Sequence, residues 1–405
     1  MDIFIARMTA LLGVAIVVAI LARRMRLPYT VGLVIAGIGL AAARLETGAN
    51  LTHDLIFDLI LPPLLFEAAL SLNWRDLRAD IAPILVLSTL GVAISAALVA
   101  AGMMWLLAWP IAAALIFGVL IAATDPIAVI AMFKDTGVKG RLRLLVESES
   151  LFNDGVAAVL YGLALAFAQA GPGAGIGGTE LFRAAFIACG GAALGAVSGG
   201  AAIAVAGRTS DHLVETAVTA VTAYGSFLLA EHFHLSGVLA CVSAGITMGS
   251  LGLLRSDDHS ALSSGARAFV VEFWEFAAFI ANSLVFLLIG LHAAAIPFAS
   301  VGAKTLVAAN LLVLLGRAVT VYPLCFMFAR SRWRIPYPQQ HVLWWGGLRG
   351  ALALALVLAL PPDTLYHDEI VIAAFGVVTF SVIVQGVTMG ALLRWVDLEG
   401  PGQSR

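Results

Sequence analysis

Two short runs of oxygen-bearing residues interrupt otherwise apolar sequence: Thr124-Asp125-Pro126, and then Glu149-Ser150-Leu151-Phe152-Asn153-Asp154-Gly155. A carboxylate in the middle of a bilayer costs roughly 2.5–3.5 kcal/mol even on the lenient insertion scale, so intramembrane aspartates mark ion or proton paths. Pro126 lacks a backbone N–H and blocks one intrahelical bond. A helix broken there leaves carbonyls free, that of Thr124 among them, beside the Asp125 carboxylate. Oxygen ligands of this kind suit a hard cation. Ser150 and Asp154 are four residues apart and share a helix face, so both can address one ion, with Asn153 beside them. The bland readings are a proline kink with Asp125 capping the lower half-helix, and a buried hydrogen-bond cluster around Asp154.

A carboxylate held away from water is harder to ionise. Poised near neutrality, it holds either one proton or one monovalent cation. That competition, joined to alternating access, is sufficient for exchange. Glu149 lies about 140° around the helix from Asp154 and faces elsewhere. Arg349 is a mid-segment cation with no partner in its own helix, so Glu149–Arg349 is expected as a structural ion pair. Arg317 is also mid-segment; it can balance Asp125 or Asp154, or brace the carbonyls of a broken helix. Glu67 either draws cations into an inner vestibule or pairs within the bundle. Glu272, Glu275 and Asn282 read as structural. The eight histidines, at 53, 212, 232, 234, 259, 292, 341 and 367, sit at segment ends or in loops, without metal spacing. Cys189, Cys241 and Cys325 read as small core residues rather than a disulfide or metal framework.

The elements that must hold these groups are long apolar helices. Of 405 residues, 61% are hydrophobic and only 12% charged, against about 25% in a soluble domain; the mean hydropathy is +0.99. Runs of near twenty residues match helices spanning a core of about 30 Å. The ten-residue alternating strands of a barrel are absent. The expected class is an all-α polytopic membrane protein with about thirteen spans: 3–22, 28–42, 51–72, 81–107, 111–133, 144–170, 181–206, 212–231, 235–252, 268–296, 301–329, 338–360 and 368–394. Met1-Asp2-Ile3 lacks a basic stretch, so the first span is expected to stay as an anchor rather than be cleaved. With the N-terminus outside, seventeen Lys and Arg fall in inner segments and three (Arg44, Arg183 and Lys304) in outer loops. That partition supports the orientation, an odd helix count and a cytoplasmic C-terminus. Arg7, near the outer end of the first span, can snorkel. The expected organisation is one membrane domain over 1–395 and a short cytoplasmic tail, 396–405.

Spans 1–6 and 8–13 form two halves whose first helices enter from opposite sides, with span 7 between them. The fifth helix of one half carries Thr124-Asp125-Pro126; that of the other carries Gly346-Gly347-Leu348-Arg349-Gly350. Interrupted segments at matching positions of inverted repeats point to a transporter site.

These patches resemble the sodium/proton exchanger superfamily, in its electroneutral NhaP- and NHE-type branch. The match runs in order through Leu61-Pro62-Pro63 with Phe66-Glu67-Ala68, Ala123-Thr124-Asp125-Pro126, Glu149 to Gly155, Leu235-Ser236-Gly237-Val238-Leu239-Ala240, Phe273-Trp274-Glu275 to Asn282, and Gly346 to Ala351. The resemblance implies thirteen helices in two inverted six-helix repeats, with spans 5 and 12 broken and crossing. It implies a homodimer in the cell inner (plasma) membrane, with a core of spans 4–6 and 11–13 moving against an interface part of spans 1–3 and 7–10. It implies that Asp154 takes the cation or the proton, that Asp125, Ser150 and Asn153 assist, and that Thr124 offers its backbone carbonyl. Asn153-Asp154, where electrogenic relatives carry two aspartates, implies one-for-one exchange. Na+, with Li+, is the expected cation and pH homeostasis the expected role. The compact chain matches a prokaryotic member without a tail-binding regulator.

K+/H+ exchange on the same fold is the alternative within this reading. A cation channel or a non-transporting sensor is the alternative from another class; a channel would carry current without proton coupling. An intramembrane aspartyl protease needs Gly-x-Gly-Asp, and Phe152-Asn153-Asp154-Gly155 does not fit. No phosphate loop or dinucleotide fingerprint is present, so no organic cofactor and no enzymatic activity are expected. No basic block invites nucleic acid. The partners expected are the cation, the proton, the lipid bilayer and a second copy of the chain.

Overall fold

The computed structural model describes residues 2–25, 27–43, 52–170, 175, 177–253 and 264–396. Arg26, Arg44, Arg255, Arg405, His259 and all of the tail except Val396 lie outside the described residues, as do the side chains of Arg7 and Arg23.

Every regular element among the described residues is helical. In chain order they are α1 (Asp2–Met25), α2 (Tyr29–Ala42), α3 (Leu61–Leu70), α4 (Trp74–Ala79), α5 (Ile81–Leu85), α6 (Val92–Leu107), α7 (Ile111–Leu120), α8 (Ile127–Thr136), α9 (Arg141–Ala170), α10 (Gly178–Ala206), α11 (His212–His232), α12 (Gly237–Met248), α13 (Ser264–Ala295), α14 (Gly302–Met327), α15 (Tyr337–Trp345), α16 (Ala351–Leu358), α17 (His367–Phe380) and α18 (Gly386–Trp395). Wider π-helical turns at Leu55–Ile60, Val86–Gly91, Gly249–Leu253 and Ser381–Gln385 carry the backbone into or out of α3, α6, α12 and α18. Among the described residues, seven helical stretches are long and apolar enough to cross a membrane. The protein is a multi-pass membrane protein. Its outward faces agree: Leu181, Phe182, Phe186, Val197 and Val205 of α10 all point away from the bundle, an apolar surface that water would not tolerate at this extent.

Packing follows from small residues where helices cross. On α10, Gly191, Gly195 and Gly199 recur every four residues and lie on Ser236, Ala240 and Ala244 of α12 and its cap; a Cβ on Gly195 would stand 1.9 Å from the Ala240 carbonyl oxygen. This small-xxx-small stripe is how membrane helices approach closely without a hydrophobic drive between them. Gly37 of α2 and Gly290 of α13 face one another in the same way. The Ser236 Oγ accepts from the Leu239 N–H at 3.3 Å and caps α12, which explains the Leu235-Ser236-Gly237 run. Helices α2, α3 and α10–α13 pack on one another, and α5–α9 pack with α14–α18. At one end, Arg141 forks onto Asp80 (2.7–3.0 Å) and also donates to the Trp333 and Arg334 carbonyls, tying three loops together. Cys241 and Cys325 are buried, but Cys189 is exposed: its face of α10 looks outward, so the expected core role fails there.

Candidate ion-binding site

The two segments that the sequence marks as interrupted are both broken. One helix stops at Leu120 and resumes as α8 at Ile127; the other stops at Trp345 and resumes as α16 at Ala351. The breaks touch: the Asp125 N–H donates to the Leu348 carbonyl at 2.7 Å. Gly350 has no room for a side chain, because a Cβ would stand 2.0 Å from Asp125 Oδ2.

A broken helix leaves donors at its new N-terminus and acceptors at its new C-terminus. Here charged side chains meet all four of these ends. Asp125 Oδ1 accepts from the Ile127 N–H at 2.9 Å at the start of α8, while Oδ2 lies against Gly350 at the start of α16. Both ends carry partial positive charge. Arg349 reaches back to the other half of the first broken helix and donates to the Ala122 and Ala123 carbonyls at 2.7 and 3.0 Å. Arg317, from α14, donates to the Leu343 carbonyl near the end of α15 at 3.0 and 3.3 Å. Ser381, on a π-helical turn, holds the Arg349 backbone by accepting from its N–H at 2.9 Å.

The expected Glu149–Arg349 ion pair is not formed. Glu149 pairs with Arg317, in a two-bond fork of 2.7 Å on each oxygen. The reason is geometric. Both arginines are buried, but Arg317 arrives from α14 with its guanidinium plane on the Glu149 carboxylate, whereas Arg349 is spent on the free carbonyls of the break. Arg317 therefore does not bond to Asp125 or Asp154; it braces a broken-helix carbonyl and neutralises Glu149.

The polar run on α9 meets the first break side by side. The Ser150 hydroxyl donates to the Thr124 carbonyl, and its Oγ lies 3.1 Å from Thr124 Oγ1. Asn153 Nδ2 donates to Thr124 Oγ1 at 3.0 Å. Asp154 is 9% exposed and Asp125 8%. Both line one cavity with Glu67, Thr124, Pro126, Leu151, Asn282 and Gly350. Asp125 Oδ2 and Asp154 Oδ1 have no hydrogen-bond partner there. Asp154 is within electrostatic reach of Asp125, Glu149 and Arg349. Among the buried charges around Asp154, with the half-buried Glu67 left out, three carboxylates (Asp125, Glu149 and Asp154) face two guanidiniums (Arg317 and Arg349) when all are ionised, which leaves one negative charge uncompensated. One proton or one monovalent cation neutralises it.

The profile of the transmembrane sodium/hydrogen exchangers matches residues 11–395, which include every residue of this site. This chain belongs to the sodium/hydrogen exchanger family. It is 36% identical to the Na(+)/H(+) antiporter ApNhaP of Aphanothece halophytica, over 99% of this chain and 76% of that one. It is 34% identical to the Na(+)/H(+) antiporter NhaH of Halobacillus aidingensis, over 98% of each. The fold is similar to that of the sodium proton antiporter MjNhaP1 from Methanocaldococcus jannaschii, with a TM-score of 0.74 over 98% of this chain and 99% of that one, at 18% identity. Family membership makes this chain a transporter rather than an enzyme.

Three features of this exchanger's site escaped the reading of its sequence. Ser381 lies between Thr379 and Gln385 in an otherwise apolar run, so its type alone did not single it out. The Leu348 carbonyl carries no side-chain signal at all. Asn282 read as structural, yet it lines the cavity. Glu67 lines the cavity too, and Lys134, Arg143, Glu147 and Glu275 stand within its electrostatic reach. Glu275 itself is 3.9 Å from Lys134 Nζ, with both side chains more than half exposed, a weak pair.

Proposed function

We propose that this protein is a secondary antiporter that exchanges Na+, and Li+ with it, for H+ in one-for-one stoichiometry, with the two substrates competing for Asp154. One observation carries the reading: two carboxylates with unpartnered oxygens share a buried cavity at the crossing of two broken helices. Asp125, Ser150, Asn153 and Thr124 act with Asp154. Ser150 holds the Thr124 carbonyl and Asn153 its hydroxyl, so that this carbonyl and the Asp154 carboxylate address the same ion. The single uncompensated charge of the buried cluster supports an electroneutral cycle, because the loaded site is neutral with either substrate. The relatives ApNhaP and NhaH bear the name Na(+)/H(+) antiporter, which supports sodium.

The architecture proposed with it has thirteen crossings in two inverted six-helix repeats, the N-terminus outside and the C-terminus cytoplasmic. A core of α5–α9 and α14–α18 moves against a scaffold of α1–α3 and α10–α13, and the scaffold pairs with a second copy. The cavity extends from Asp154 toward Glu67, on the side of the arginine-rich loops. On the other side His53 Nδ1 lies 3.0 Å from the Ala355 carbonyl, joining scaffold to core. Both support an inward-facing state.

Proteoliposomes holding a pH dye test the proposal with Na+, Li+, K+ and Rb+ gradients. Wild type is expected to exchange Na+ and Li+ for protons, and Asp154→Asn to abolish exchange while keeping the fold. Undiminished exchange by Asp154→Asn would overturn the assignment; a preference for K+ would replace the cation.

A further inference from the structure

We propose that Asn282 supplies an oxygen ligand to the transported cation from the scaffold side of the cavity, opposite the two aspartates. The inference rests on the cation/proton reading above. Asn282 is on α13, is 9% exposed and lines the same cavity as Asp125 and Asp154. Its Oδ1 has no hydrogen-bond partner. The next residue shows what a structural polar group looks like here: the Ser283 hydroxyl bonds to the Tyr29 hydroxyl and the Phe279 carbonyl. Leaving an amide oxygen buried without such a partner is unfavourable, and the chain has placed it in the cavity that the residues of two other unpartnered acceptors line.

The three unpartnered side-chain atoms of this cavity, Asp125 Oδ2, Asp154 Oδ1 and Asn282 Oδ1, are all oxygens. Three buried acceptor oxygens gathered in one cavity suit a hard cation. The carboxylates can take either a proton or a metal ion. A carboxamide does not take a proton near neutrality, yet its oxygen binds a hard cation. Asn282 therefore weights the competition at Asp154 toward the cation. It also makes the contact conditional. α13 packs on α2, α3 and α11, whereas Asp154 is on α9. When the core moves against the scaffold, the Asn282 oxygen is withdrawn and the cation is held by core ligands alone. The contact thus belongs to binding at the face where this cavity opens.

Sodium-driven exchange in proteoliposomes tests this, with Asn282→Leu, which keeps the volume but removes the oxygen, and Asn282→Asp, which keeps an oxygen in place. Asn282→Leu is expected to raise the Na+ KM at that face by about five- to twentyfold with the maximal rate within about twofold, the signature of lost binding rather than lost turnover. It is also expected to change the Li+ to Na+ preference, which a packing defect would not do. Asn282→Asp is expected to restore the KM to within about threefold of wild type. Should Asn282→Leu elute as aggregate, Asn282→Ala carries the same expectation. An unchanged KM and cation preference in a folded oxygen-free variant overturns the ligand role, provided that wild type exchanges and Asp154→Asn does not. Absence of exchange in wild type overturns the antiport reading itself.

Discussion

At Glu149 and Arg317 two charges have left water together, and the structure shows why they can. The fork of two 2.7 Å bonds satisfies both carboxylate oxygens, and the guanidinium spends its remaining capacity on the Leu343 carbonyl. Removing one partner leaves the other buried and unpaired, at about 3–5 kcal/mol. Glu149→Gln and Arg317→Leu are each expected to lower the melting temperature in detergent markedly. The exchanged pair, Glu149→Arg with Arg317→Glu, is expected to recover more folded protein than either single change. A double-mutant cycle is expected to give a coupling of at least about 1 kcal/mol for Glu149 with Arg317, and less for Glu149 with Arg349. Equal couplings would contradict the pairing seen here.

Two interrupted helices, crossing at their gaps, make a site by exposing backbone that continuous helices hide. In lipid every exposed N–H or C=O must find a partner inside the protein. Asp125 meets the positive ends of α8 and α16; Arg349 and Arg317 meet the negative ends of α7 and α15. Pro126 makes one gap by withholding its N–H, and Gly350 makes room at the other. Arg349→Leu tests this account, since it orphans the Ala122 and Ala123 carbonyls. The expected cost is about 2–5 kcal/mol for two buried acceptors without donors, seen as a lower melting temperature. Arg349→Lys, with a shorter single donor group, is expected to recover only part of it. A melting temperature unchanged by Arg349→Leu would remove the capping role.

Across the whole molecule, α5–α9 with α14–α18 carry the charged gaps, and α2, α3 and α10–α13 pack together beside them. If proton and cation share one site in an inward-facing cavity, each excludes the other by mass action. The apparent KM for Na+ is then expected to rise as pH falls, by up to about tenfold per unit where the proton form dominates, while the maximal rate at saturating Na+ changes far less. Simultaneous recording across a planar membrane is expected to show no exchange current. A KM independent of pH between 6 and 9, or a steady current that tracks the Na+ gradient, would count against the shared site and the one-for-one cycle respectively.

Much of this was legible along the chain because a bilayer makes polar residues expensive. Thr124, Asp125, Ser150, Asn153 and Asp154 stand out against apolar neighbours, and Pro126 with the Gly346–Gly350 run announces the gaps. Helical periodicity then puts Ser150 and Asp154 on one face, and the break brings Thr124 to them. Partner choice was a different matter. Along the chain Arg349 is the expected mate of Glu149, and Arg317 that of Asp125, Asp154 or broken-helix carbonyls, because depth along a helix is legible there but rotation about it and distance between helices are not. The folded chain decided it by bringing α14 against Glu149 and by turning Arg349 onto carbonyls whose release only the gap itself creates. Asn282 was hidden for the same reason: an amide looks like any satisfied core residue until the packing shows that its oxygen lacks a hydrogen-bond partner and that it lines the cavity of the aspartates.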